Sequence, residues 1–116
     1  MAFDLNEREF HATVVRLILN GQPDLALRSL AEWYGVSEPS LRVGTVKRFR
    51  KALGCYVDRE KRIYLSTSEF LTDPFVVLHE FYHHLRASRI QKNRQGEKRA
   101  DLFALNFIKD FRRLSI

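Results

Sequence analysis

The fold is decided by His79-Glu80-Phe81-Tyr82-His83, a stretch in the second half of the chain. Thr72-Asp73-Pro74 supplies a capping side chain and a proline at the first helical position, so a helix is predicted from there to about Ile90. Residues four apart in a helix lie one turn above each other, about 6 Å between their side-chain roots. The two histidines therefore share one face. Apolar spacing predicts that the buried stripe of this helix is Phe75, Leu78, Tyr82 and Leu85.

The spacing of the two histidines suits a metal ion. Two imidazoles one turn apart can bind the same Zn²⁺, each about 2.0–2.1 Å from it. Glu80 follows the first histidine, so its carboxylate lies beside the metal, where it can take a proton from bound water. The same pattern also arises by chance, and its members can be ordinary surface residues. We predict that His79 and His83 are zinc ligands and that Glu80 is a general base.

A second stretch, Glu97-Lys98-Arg99-Ala100-Asp101, could complete the site. A catalytic zinc needs a third protein ligand and an open position for water. A polar loop, Gln91–Gly96, lets the chain return as an antiparallel helix from about Glu97 to Arg113, which brings Glu97 beside the histidines. Asp101, one turn further, could accept a hydrogen bond from the other ring nitrogen of a ligand histidine. The alternative is a solvated acidic pair among basic residues.

The two stretches together resemble a known family. His79-Glu80-x-x-His83 followed by Glu97-x-x-x-Asp101 is similar to the pattern of the gluzincin metallopeptidases, which carry a zinc-binding helix and a "glutamate helix". The short connection between the motifs, and the hairpin ahead of the first one, resemble the minimal members, the minigluzincins and the ImmA/IrrE-like peptidases. The likeness extends from about Leu41 to Phe107.

This resemblance implies an activity, a site and a substrate class. The implied reaction is hydrolysis of a peptide bond in a peptide or protein substrate. The strand before the zinc helix, about Arg62–Ser66, would be the sheet edge that pairs with an extended substrate. The implied roles are general base for Glu80, partner of a ligand histidine for Asp101, and Zn²⁺ ligands for His79, His83 and Glu97.

The rest of the chain predicts two helices and a small sheet. The first helix covers residues 6–19, with Asn6 as its N-cap and Glu9 as the capping-box partner. The second opens at Pro23-Asp24 and ends at Gly35. Three strands, forming an antiparallel sheet with a turn at Asp58–Lys61, are predicted at Ser40–Val46, Leu53–Val57 and Arg62–Ser66. The fold class is therefore α+β, in one domain over residues 1–116.

Composition limits the classes of protein. The chain has 116 residues, 45% hydrophobic and 29% charged, which is typical of one globular domain. Cys55 is the only cysteine, so an intramolecular disulfide and a thiolate zinc cluster are both excluded. We expect a cytoplasmic protein, because no signal peptide is visible and the longest apolar run, which Arg16 splits, is too short for a bilayer. The net charge of +6 permits nucleic-acid binding, but a solvated basic face explains it more simply.

Several other side chains are weaker candidates. His84 lies about 100° around the helix from His83, so we expect it to face away from the metal, as a surface residue or behind the ligands. Tyr82 is predicted to be a core residue. Tyr56 or Tyr64 could stabilise an oxyanion, although hairpin aromatics mostly serve packing. A basic run could favour acidic substrates or nucleic acid, although a charged helix end and loop is the simpler reading. Its residues are Arg86, Arg89, Lys92, Arg94, Lys98 and Arg99.

Two other functions stay open beside zinc-dependent hydrolysis. The domain could be a latent or inactive gluzincin-like module with a regulatory role, its cleft covered by Leu114-Ser115-Ile116. Less in keeping with the motifs, it could be a basic nucleic-acid-binding module with an accidental zinc pattern.

Overall fold

The structure, a computed structural model, describes residues 3–47, 51–89 and 96–114. Within them the chain forms four α-helices and a three-stranded sheet, with two helices ahead of the sheet, so the predicted α+β class is confirmed. In chain order the elements are α1 (Phe3–Leu19), α2 (Pro23–Tyr34), β1 (Ser40–Val43), β2 (Gly54–Val57), β3 (Arg62–Leu65), α3 (Pro74–Ser88) and α4 (Gly96–Leu114).

The predicted caps are confirmed at the end of α2 and at the start of α3, and the predicted cap of α1 is wrong. Gly35 ends α2 in the left-handed region, with φ 69°, as predicted. The Asp73 side chain accepts hydrogen bonds from the first N–H groups of α3. The Asn6 cap is wrong, because α1 already begins at Phe3 and Asn6 lies inside it. Helix α3 ends at Ser88, short of the predicted Ile90, which lies outside the described residues along with the polar loop up to residue 95.

The sheet is mixed, and its strand order corrects two predictions. Strands β2 and β3 form the predicted antiparallel hairpin, but β1 pairs with β3 in parallel, giving the order β1-β3-β2. Strand β3 takes the centre because its two inward side chains, Ile63 and Leu65, are fully buried. The prediction that Arg62–Ser66 forms the sheet edge is therefore wrong. In the part of the chain that the structure describes, β1 and β2 are the two outer strands of the sheet.

Helix α3 lies in the middle of the molecule. It packs against α1, α2, α4 and the strands β2 and β3, so several of its faces are buried at once. Of the predicted stripe, Leu78 and Leu85 are buried, whereas Phe75 and Tyr82 are only half-buried. The structure buries further residues of α3 that a single apolar stripe does not include: Val76, Val77, Glu80, Phe81 and His84.

Helix α4 closes the core over α3 and α1. Ala100 and Ala104 are fully buried, as expected where two helices approach closely, and Phe107 is 1% exposed. Phe103 and Phe111 pack against the same core from its margin. Among the described residues, none of the helices has the length and apolar character that crossing a bilayer requires.

Candidate metal centre

Three ligand-capable side chains converge between α3 and α4. The Nε2 atoms of His79 and His83 lie 3.3 Å apart. The Glu97 carboxylate reaches both rings, with Oε1 2.6 Å from His83 Nε2 and Oε2 3.1 Å from His79 Nε2. One atom from each of the three residues lies within 4.8 Å of the others, so a single ion could contact all of them.

The path of the two helices explains why these residues meet. His83, near the end of α3, contacts Glu97 at the start of α4. His79, one turn earlier in α3, contacts Asp101, one turn later in α4. The helices are therefore antiparallel at this point, as the sequence predicted. Ala100, between Glu97 and Asp101 in the sequence of α4, is fully buried, and its small side chain allows the two helices to lie close together.

Asp101 determines which tautomer the neutral ring of His79 adopts. Its Oδ1 lies 2.9 Å from His79 Nδ1, and because a carboxylate only accepts, the proton of a neutral ring is on Nδ1. His79 Nε2 then presents a lone pair towards His83 and Glu97. This is the carboxylate–histidine arrangement that orients metal ligands in proteins. Asp101 therefore lies within hydrogen-bond distance of the ring nitrogen of His79 that faces away from Glu97.

The donor set fits a divalent cation. Without a metal, His83 can donate its Nε2 proton to Glu97; with that proton on Nδ1, its Nε2 joins His79 Nε2 and the Glu97 carboxylate as three donors that face a common point. Ligand atoms about 2.0–2.1 Å from a tetrahedral zinc ion lie about 3.3–3.4 Å from one another. The 3.3 Å between the histidine nitrogens matches that spacing.

Glu80 lies beside the three residues without joining them. Its Oε2 is 4.0 Å from His79 Nε2, and the residue is 6% exposed. Burial raises the pKa of Glu80 to about 7; His79 opposes this effect and Glu97 adds to it. A carboxyl group whose pKa is near neutrality can both accept and release a proton at pH 7.

Strand β2 approaches Glu80 closely because residue 54 is glycine. A Cβ on Gly54 would lie 3.2 Å from Glu80 Cγ, 3.2 Å from Val76 Cγ1 and 3.1 Å from the Tyr64 carbonyl oxygen. The sequence motifs do not include this glycine. Its position inside a short strand was an available signal, since a glycine there often marks a close approach of another group.

A groove follows β2 across the candidate centre. On the His83 side it widens to a cleft of about 480 Å³ next to Tyr56, Asp58 and Arg86. On the His79 side it continues as a cavity of about 210 Å³ with Leu53 and Phe75 in its wall. Gly54, Glu80 and Glu97 border both parts, so the ligand residues lie at the middle of the groove.

Within the described residues, the outer edge of β2 pairs with no other strand. Ser66 N–H donates to the Leu53 carbonyl at 2.8 Å, and the register pairs Gly54 with Leu65. Because antiparallel residues alternate in the direction of their hydrogen bonds, the N–H and C=O groups of Gly54 and Tyr56 point away from β3. An extended peptide could pair with these groups.

Comparison of the chain with protein-family models, with curated proteins and with solved structures gives no match. The likeness to the gluzincins thus depends on the motif residues and on the way the fold assembles them.

His84 is not a surface residue, which corrects that part of the prediction. It is fully buried; its Nε2 lies 2.7 Å from the Ser37 carbonyl oxygen and its Nδ1 lies 2.8 Å from the Tyr56 hydroxyl. Nε2 must donate to the carbonyl, so Nδ1 of the neutral ring accepts from Tyr56. Burial lowers the pKa of His84, which favours this neutral form. The residue faces away from the ligands, as expected, and joins α3 to β2 and to the segment ahead of β1.

The candidate tyrosines, Tyr56 and Tyr64, and the residues of the basic run do not gather at one site. Tyr56 borders the cleft, whereas the Tyr64 hydroxyl donates to Glu60. Arg86 borders the cleft as well, and Arg89 donates to the Tyr34 carbonyl and lies over that ring. Lys98 and Arg99 line a separate cavity next to Tyr82 and Leu102. Lys92 and Arg94 lie outside the described residues.

Proposed function

We propose that this protein is a zinc-dependent metallopeptidase whose ligands are His79, His83 and Glu97. One observation carries the proposal: two imidazole nitrogens and a carboxylate oxygen from two helices meet within 4.8 Å of one another. Zinc is the metal that this donor set favours, since two histidines, one carboxylate and an open position are a common catalytic zinc arrangement. Glu80, buried beside the ligands, supplies the acid–base group.

The residues around the centre divide the chemistry between them. Zinc held here would polarise the scissile carbonyl and acidify a water molecule. Glu80 accepts the proton of the attacking water and passes it to the nitrogen of the leaving amine, so it ends in its starting state. Burial, which raises the pKa of Glu80, helps this carboxyl group to hold the proton between the two transfers. Asp101 keeps the His79 ring in one tautomer.

The substrate would lie along β2. An extended peptide that pairs with the open backbone groups of Gly54 and Tyr56 would cross the groove beside Glu80. This places the substrate on β2, in place of the strand at Arg62–Ser66 that the resemblance implied. The pairing requires a backbone without regular structure, so unfolded segments and flexible peptides are the proposed substrate class.

The first prediction tests the metal and the base together. Purified wild-type protein should contain about one zinc per chain. Glu80→Gln should retain the zinc, because Glu80 is not a ligand, and should lose cleavage of a peptide mixture by at least about a hundredfold. Metal content is measured by elemental analysis and cleavage by mass spectrometry.

Glu69→Gln is the matched control, since it makes the same change at an exposed residue outside the groove. Cleavage by Glu80→Gln at the wild-type rate would refute the role of Glu80. Absence of zinc from the wild type, with no gain on adding the metal, would refute the whole proposal.

A further inference from the structure

A second cluster of ligand-type side chains lies between α1 and the C-terminal half of α4. At its centre is His11, a histidine that is only 7% exposed and has no part in the proposed reaction. Its Nδ1 lies 2.8 Å from Asp110 Oδ2, and its ring stacks on Phe107 with the ring centroids 3.8 Å apart. These two contacts hold the imidazole in one orientation.

The other nitrogen of this ring lacks a hydrogen-bond partner. His11 Nε2 is buried and makes no hydrogen bond within the part of the chain that the structure describes. The Glu7 Oε1 atom lies 3.7 Å away, beyond hydrogen-bond distance. Since Asp110 accepts the Nδ1 proton, Nε2 of the neutral ring presents a lone pair. A buried lone pair without a partner is costly, and buried polar groups normally find one.

We propose that Glu7 and His11 bind a divalent transition-metal ion, with Asp110 orienting the His11 ring. The ligands are four residues apart on α1 and so share one face. Metal bonds of about 2.1 Å to atoms 3.7 Å apart enclose an angle of about 120°, which a zinc ion accepts. The cluster repeats the arrangement of the first centre, where Asp101 holds Nδ1 of His79 and Glu97 faces its Nε2.

A cavity next to Glu7 and His11 could hold the water molecules that complete the coordination. A cavity of about 330 Å³ is bordered by Glu7, His11, Asn106 and Asp110, so its wall offers polar partners. Two protein ligands hold an ion less firmly than three, so this site should fill after the first centre. The proposal does not depend on peptidase activity, because no residue is shared between the two sites.

Three cationic side chains also border this cavity. They make an anion-binding site the main alternative to a metal site. Arg8, Lys109 and Arg113 make no ion pair in the described ranges, and they would weaken the binding of a metal cation. An anion such as inorganic phosphate would be attracted by them. However, the Glu7 carboxylate and the lone pair on His11 Nε2 would repel the anion, which disfavours its binding at Nε2.

The experiment follows histidine ring signals in NMR spectra of a variant that keeps three of the four histidines, His11 among them. In a His83→Ala background, which removes a ligand of the first centre, zinc is added up to millimolar concentration. We expect the His11 signal to shift in a saturable manner. Glu7→Gln should weaken this binding by about tenfold or more, since a ligand is lost, and Asp110→Asn by about tenfold. Glu9→Gln, the same change at an exposed residue of α1, should bind as the background does.

The variants are chosen so that folding does not obscure the result. The Glu7 side chain is 54% exposed, so its replacement leaves the core intact. A His11 signal that zinc does not move would overturn the proposal, as would equal zinc affinity in Glu7→Gln and its background. A shift produced by inorganic phosphate and not by zinc would replace the metal site with an anion site. None of these results bears on cleavage, which is measured with His83 intact.

Discussion

At the scale of single residues, Gly54 controls how near β2 comes to the proposed base. The three atoms that a Cβ would meet are a strand carbonyl, a buried valine and Glu80 itself, each between 3.1 and 3.2 Å away. The carbonyl belongs to a paired strand and the valine is 5% exposed, so neither can move easily. An added methyl group therefore presses on Glu80 as well as on these two neighbours and would displace its carboxylate.

We predict that Gly54→Ala lowers peptide cleavage by about tenfold while leaving the zinc content unchanged, since displacements well below 1 Å already reduce rates measurably. Cleavage rate and metal content are measured on the same sample. Cys55→Ala, the next residue of the same strand, is the control and should keep its activity. Loss of zinc from Gly54→Ala would mean that the glycine supports the ligands and not the base.

Cys55 is a second residue whose surroundings determine its chemistry. Burial raises the pKa of its thiol, and the nearby Glu80 and Glu60 carboxylates add to the effect. The thiol is therefore neutral at pH 7 and competes poorly for a metal ion, because the thiolate is the ligand form.

From this we predict slow alkylation of Cys55. Iodoacetamide should modify it more slowly at pH 7.5 than it modifies a small thiol, and the rate should rise as the pH increases beyond the ordinary thiol range. Mass spectrometry at several pH values follows the reaction. A rate equal to that of the free thiol at pH 7.5 would contradict the raised pKa.

At the scale of elements, the contact of α3 with α4 builds the centre. Helix α3 presents His79 and His83 and helix α4 presents Glu97 and Asp101, each pair one turn apart, and these side chains meet only because the two helices lie close together. Ala100 and Ala104, both fully buried, permit that closeness. Ligand geometry and core packing are therefore coupled through two small side chains.

Enlarging one of these alanines should damage both properties. We predict that Ala100→Leu lowers the free energy of unfolding by about 1–3 kcal/mol, the usual cost of overpacking, and weakens zinc binding as Glu97 moves away. Urea unfolding and zinc titration measure the two effects. Leu105→Ala, on the exposed side of α4, should change stability much less. Unchanged zinc affinity in Ala100→Leu would show that the ligands adjust independently of the helix spacing.

The length of α4 also bears on the idea of a self-blocking tail. Glu97 lies in the first turn of this helix and Leu114 at its end, so about 25 Å of helix separates them at 1.5 Å per residue. Ser115 and Ile116 can span about 7 Å at most when fully extended, which is shorter than the distance from Leu114 back to Glu97. We therefore predict that removing residues 114–116 leaves the cleavage rate within about twofold of the full chain, at equal zinc content. A large increase in the cleavage rate on truncation would contradict this prediction and support the latent form.

At the scale of the whole molecule, local chemistry was predictable and long-range pairing was not. The α3 start, the hairpin and the spacing of His79, His83 and Glu97 follow from rules that act within a few residues or one helix contact. The position of β3 between β1 and β2 depends on which strand buries most apolar surface, and it needs the fold to be known. The burial of His84 likewise depends on Ser37, 47 residues away in sequence.

The placement of all three proposed ligands on α3 and α4 has a consequence for the origin of such a site. Residues 74–114 contain the complete coordinating set, and α1, α2 and β1 contribute none of it. An antiparallel pair of helices that carries these three ligands could form the same site when attached to a different fold. The scaffold would then have to supply only two things: a strand edge for the peptide, and an apolar cover for the back of the first helix.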